Sequence, residues 1–75
     1  MKELVEYIAK SLVDDPSQVE VTETERRNAV TLELRVAPED MGRVIGRNGR
    51  VANAMRTLLR VPATKQGKRV SLDIV

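Results

Sequence analysis

The chain has 75 residues, enough for one modest hydrophobic core and no second. It contains neither cysteine nor histidine, so disulfides, thiolate metal sites, the commonest zinc ligand and the usual general base are all missing, and no enzymatic activity, cofactor or metal is expected. Net charge is only +2, but residues 1–40 carry five Lys/Arg against ten Asp/Glu, while residues 41–75 carry eight against Asp73 alone; the second half has the electrostatic footprint of a polyanion binder.

Leu4, Val5, Ile8, Leu12 and Val13 recur at helical spacing, with Lys2, Glu3, Glu6 and Lys10 mostly between them, which predicts an amphipathic helix. The acids inside this opening segment rule out a secretory signal, and no later stretch approaches the roughly 20 apolar residues of a membrane span. The cytoplasm is the expected location. Asp14-Asp15-Pro16 ends the helix, because proline disfavours helical geometry in the residue before it. Val19 and Val21 alternate with Gln18, Glu20 and Thr22 and predict a short strand; the polar run 23–28 reads as a turn. Val30, Leu32, Leu34 and Val36 then alternate strictly with Thr31, Glu33 and Arg35, the best-patterned strand in the chain.

Ala37-Pro38-Glu39-Asp40 opens the next helix, with proline suited to the first helical position and acids that complement the helix dipole. Met41, Val44 and Ile45 form its inner side, and Gly46 stops it. A longer helix follows Gly49, with Val51, Ala52, Met55, Leu58 and Leu59 inward, Arg50, Asn53, Arg56 and Arg60 outward, and Pro62 at its end. A glycine-containing turn over 64–68 leads to a last strand of Val70, Leu72 and Ile74 alternating with Ser71 and Asp73. The order αββααβ predicts an α+β fold over residues 1–75 as one domain, a three-stranded sheet with helices packed on one face.

The two helices after the second strand meet at Gly46-Arg47-Asn48-Gly49. Glycine permits left-handed backbone and close approach of another chain, and asparagine tolerates left-handed geometry better than most residues. The first N–H groups of a helix lack intrahelical partners and can donate to a phosphate, and a guanidinium from Arg47 or Arg50 can grip one with two parallel hydrogen bonds. The bland alternative is a tight helix–helix turn. No Gly-Lys-Ser/Thr follows, which excludes a P-loop, and the loop follows a helix rather than a strand, which excludes a dinucleotide fingerprint. With no Phe or Trp and one Tyr, modes that stack bases on aromatic platforms, as in RRM and OB folds, are not expected.

The string Val44-Ile45-Gly46-Arg47-Asn48-Gly49-Arg50-Val51 resembles the KH signature, and the element order matches the type II arrangement. From Glu3 to Val75 the chain is similar to the small bacterial single-KH proteins of the KhpA-like group, through LVEYIAKSLV, LRVAPEDMGRVIGRNG and TKQGKRVSLDIV. The resemblance implies a single-stranded RNA-binding protein, a post-transcriptional regulator or RNA chaperone, whose loop clamps about four nucleotides of backbone. Gly46 and Gly49 are then expected to shape the loop, and Arg47 and Asn48 to face phosphates. Val44, Ile45 and Val51 are expected to form an apolar groove, with the second strand (residues 32–36) as its opposite wall, although core packing is an alternative, above all for Val51. Arg43, Arg50 and Lys68 or Arg69 are candidates for secondary contacts. The family resemblance also implies a homodimer, or a heterodimer with a larger RNA-binding protein of the Jag/EloR kind. Val61, Pro62 and Ala63 are the candidate apolar patch for it. Two other readings stand beside this one: a helix-turn-helix DNA binder presenting Arg50, Asn53, Arg56 and Arg60, and a protein-interaction module.

Overall fold

The computed structural model covers residues 1–75. Its elements are α1 (Lys2–Leu12), β1 (Glu20–Glu25), β2 (Ala29–Arg35), α2 (Met41–Ile45), α3 (Arg50–Lys65) and β3 (Arg69–Ile74), with single 3-10 turns at Pro16–Gln18, Pro38–Asp40 and Arg47–Gly49. The predicted αββααβ order and α+β class are what the chain adopts.

The sheet order is β1-β2-β3, with β1 antiparallel and β3 parallel to the central β2. A parallel neighbour needs a crossover, and α2 and α3 supply it. Register sets Val21 opposite Leu34, Leu32 opposite Leu72 and Val30 opposite Val70, so one face is apolar along β2 and β3 and at Val21 of β1. Val5 and Ala9 of α1 and Met55 and Leu59 of α3 complete the core against it. The other face carries Thr22, Thr31, Glu33, Arg35, Ser71 and Asp73 to solvent. Leu32 and Leu34 are fully buried, and truncating either to alanine costs about 2–5 kcal/mol.

Four expectations change. Strand β1 runs through the polar segment read as a turn: Glu23, Thr24 and Glu25 pair with Leu32, Thr31 and Val30, and the turn shrinks to Arg26, Arg27 and Asn28, closed by the Arg26 N–H donating to the Ala29 carbonyl at 2.7 Å. Ladder hydrogen bonds come from backbone, so exposed polar side chains do not prevent them. Pro62 lies inside α3 rather than at its end. It removes one helical hydrogen bond near the terminus, but Ala63 beyond it is buried in the core, and the Gln66 N–H donates to the carbonyls of both Pro62 and Ala63 at 3.1 Å. Leu58 is 51% exposed; the buried stripe of α3 is Ala52, Met55, Leu59 and Ala63, and Leu58 stands one 100° step off it. Leu12, in the last turn of α1, is also exposed.

Asp40 is the one buried charged side chain. Its carboxylate does not cap its own helix. Instead its two oxygens accept the backbone N–H groups of Asp14 and Asp15 at 3.1 and 3.2 Å, so the acid expected to complement a dipole ties the turn after α1 to the start of α2. In that turn Asp15 accepts from the side chains of Ser17 and Gln18, which hold its carboxyl below the usual range.

Candidate nucleic-acid interface

Gly46 ends α2 with φ 77° and ψ 171°, backbone that only glycine adopts readily. A Cβ there would lie 2.5 Å from Val51 Cγ2 and 2.9 Å from the Val51 backbone nitrogen, so the first turn of α3 packs directly on the bare Gly46 backbone. Asn48 (φ 57°) and Gly49 (φ 74°) follow as two consecutive left-handed residues. The Gly49 N–H donates to the Gly46 carbonyl at 3.1 Å and closes the turn. Gly49 itself is open: a Cβ there would meet nothing nearer than Asn53 Nδ2 at 3.7 Å. One glycine is needed for packing, the other for handedness and for an uncovered backbone.

No side chain caps the N-terminus of α3. Arg47, Asn48 and Arg50 are exposed beside it, and neither arginine has an acidic partner, since the ion pairs of the chain involve Lys10, Arg43, Lys68 and the N-terminus. Two unneutralised guanidinium groups thus stand at the positive end of a 16-residue helix, where the dipole and the free N–H groups favour an anion. Arg43 is in a different position. Its Nη2 lies 3.1 Å from Asp14 and its Nε 3.7 Å from Asp40, so its charge is already engaged. Lys68 pairs with Glu25 at 3.3 Å. It and Arg69 sit at the far end of α3, about 24 Å along the helix from the loop, beside Arg26 and Arg27; the Arg69 N–H donates to Asn28 of that turn.

The apolar residues divide three ways. Val44 is fully buried in the core and presents nothing to a ligand. Val51 is half-buried, packed against the core and against Gly46. Ile45 is half-buried and stands outside the core cluster, which leaves it as the apolar surface next to the loop. The second strand does not form the opposite wall. Leu32, Leu34 and Val36 are buried, because β2 is the central strand, paired on both edges.

The open edge next to α3 belongs to β3. Arg69 and Val75 donate to Asn28 and Leu34, so the backbone groups of odd-numbered residues face β2, and those of Val70, Leu72 and Ile74 face outward. Arg56 reaches this edge from α3: its Nε and Nη2 donate to the Leu72 carbonyl at 3.2 and 3.0 Å, and its Nη1 donates to Asn53 Oδ1 at 3.1 Å. Sequence reasoning placed Arg56 among outward-facing arginines; the strand alternation of Val70, Leu72 and Ile74 held no sign of which strand would be the edge.

The family model for the KhpA/KhpB KH domain matches residues 2–74. The chain belongs to the KhpA/KhpB KH-domain family. It is 53% identical over 75 residues to the RNA-binding protein KhpA of Clostridium acetobutylicum, covering all of both chains, and 53% identical over the same full span to that of Clostridium perfringens. To the RNA-binding protein KhpA of Aquifex aeolicus it is 49% identical over 75 residues, covering 95% of that protein. No solved structure matches it significantly. As in the KH signature, the loop of this KhpA/KhpB domain joins two helices and its flanking apolar residues, Val44 and Val51, lock it to the core.

Proposed function

We propose that this KH domain binds single-stranded RNA, holding the sugar–phosphate backbone on the loop of residues 46–49. The observation that carries this reading is the pair Arg47 and Arg50, unpaired and exposed beside the uncapped start of α3. The curated relatives are named RNA-binding proteins, in keeping with a binding module rather than a catalyst, and with a cytoplasmic post-transcriptional regulator or RNA chaperone. No helix is long and apolar enough to cross a membrane.

One short site binds weakly, so selective work calls for a second. Leu58 and Val61 are 51% and 58% exposed, three residues apart on α3, and offer an apolar strip to a second copy or to a KhpB-type partner. Of the patch read from sequence, Val61 is exposed and Pro62 half-buried, but Ala63 is buried; Leu58 takes its place. Pairing two sites raises avidity by about 10²–10⁴ over either alone.

A helix-turn-helix reading fits less well. Helix α2 has only five residues, the junction holds two left-handed residues, and Arg56 of the supposed recognition helix is bound to Leu72. The test is Arg47→Asp with Asn48→Asp, measured by RNA titration and circular dichroism together. Both side chains are exposed, so the fold should hold while affinity for a single-stranded hexamer drops at least tenfold. Unchanged affinity in the folded double variant, or equal affinity for duplex DNA, refutes the site.

A further inference from the structure

Gly49, the residue just before α3, and Asn53, Arg56 and Arg60 within it lie on one ridge, at the i, i+4, i+7, i+11 spacing of a helix face. The first of them is the open glycine of the loop. The second lies against it, with Asn53 Nδ2 at 3.7 Å from where a Gly49 Cβ would be. The third bridges to the exposed edge of β3. The loop is thus continuous with a strip of surface bounded by this ridge and by the outward backbone groups of Val70, Leu72 and Ile74.

Midway along this strip sits a guanidinium with a defined orientation. It has five N–H donors. Two converge on the Leu72 carbonyl and one goes to Asn53 Oδ1, which leaves one N–H on each of Nη1 and Nη2. Arg56 is half-buried and bonded on two sides, so those two donors are held in place rather than swept through solvent. It has no acidic partner either. Seven residues of helix separate it from Gly49, about 10 Å, within the four-nucleotide stretch that a KH loop clamps.

We propose that Arg56, positioned by Asn53 and by the Leu72 carbonyl, is the specificity-determining residue of this domain, selecting a base that offers two adjacent acceptors. This rests on the RNA-binding reading of the loop. Two neighbouring donors match cytosine, which presents O2 and N3, and guanine, which presents O6 and N7. Uracil interposes the N3–H donor between its carbonyls, and adenine sets its amino group between N1 and N7 and leaves N3 alone on the far edge, so each leaves one Arg56 donor facing a donor or nothing. Phosphate contacts at the loop carry no such preference.

The experiment compares cytidine, uridine and adenosine hexamers on the intact protein and on Arg56→Lys, which keeps the charge but not the fork. The three hexamers have the same phosphates, so their ratio isolates the base. The wild-type protein should bind the cytidine hexamer about tenfold more tightly than either other hexamer, and Arg56→Lys should bring all three within about twofold while retaining affinity for uridine. Equal wild-type affinities overturn the inference without any variant, and a cytidine preference that survives in Arg56→Lys overturns it too. If the wild-type protein binds none of the hexamers, the RNA-binding reading fails, and this inference with it.

Discussion

The two glycines of the loop look equivalent in sequence and are not equivalent in space, and their alanine variants should separate cleanly. At Gly49 the methyl group enters open space, 3.7 Å from its nearest neighbour, so the cost is that of a left-handed L-residue, about 1–2 kcal/mol. At Gly46 the backbone lies in a region reserved for glycine, itself a cost of about 1–3 kcal/mol. There the methyl also overlaps the backbone nitrogen of Val51 at 2.9 Å, which belongs to the first turn of α3 and cannot swing aside like a side-chain tip. Relief requires α3 to shift against a core in which Met55 and Leu59 are nearly wholly buried. A total of at least about 3 kcal/mol is the result, a large share of the roughly 5–15 kcal/mol that holds a small domain. With about 4–8 °C per kcal/mol for a domain of this size, thermal melts followed by circular dichroism should show Gly49→Ala lowered by about 4–15 °C and Gly46→Ala by more than about 12 °C, or unfolded. Equal midpoints for the two, or a lower one for Gly49→Ala, would show that Val51 does not rest on the Gly46 backbone and would refute the packing argument.

Asp40→Asn should destabilise the fold by about 2–3 kcal/mol, since one of two charge-assisted bonds to backbone N–H groups is lost at a buried site and Arg43 loses a carboxylate; a melting point unchanged within 2 °C counts against the tie between α1 and α2. RNA affinity should fall with salt. Three to four phosphate contacts give a slope of roughly −2 to −3 in log K against log salt, at about 0.7 per contact for single strands, and a flat response would move the interface off the arginines. Val61→Glu introduces a charge on an exposed helix position, so the fold should stay intact while the sedimenting mass falls toward that of one chain and binding to long RNA weakens more than binding to a hexamer. A wild-type chain that already sediments alone at high concentration, with no RNA-binding partner, refutes that use of the strip.

Much of this architecture is legible in the sequence because it is written in periodicity. The strict alternation of Val30, Leu32, Leu34 and Val36 specifies β2 and the face it buries, and Gly46 and Gly49 mark the loop through backbone geometry that glycine meets at least cost. What is not legible depends on tertiary neighbours. Glu23, Thr24 and Glu25 look like loop because both faces of that stretch reach water, yet their backbone pairs with β2. Pro62 looks like a stop because propensity is local, whereas burial of Ala63 beyond it is not. That β3 rather than β2 presents an open edge beside α3 follows from strand order, which alternating apolar residues do not encode. Asp40 could have been suspected only as a cap; its actual partners lie 25 and 26 residues back in the chain.

The parallel pairing of β3 with the centre of the sheet has a consequence for how the molecule comes into being. Residues 20–35 can zip into a hairpin from local contacts as they are made, and α1 can settle on it. The apolar face of β2 is still bare along its far edge at that stage, because Leu72 and Ile74 are more than thirty residues away in the chain. Contacts of such long sequence separation close slowly. During synthesis the nascent chain therefore displays an unpaired, hydrophobic strand edge until residue 74 has emerged, the kind of surface that recruits wrong partners. A chain cut before Arg69 loses more than the surface beside α3. It keeps the hairpin and all three helices but leaves one edge of β2 without its partner strand, the kind of open edge that favours aggregation.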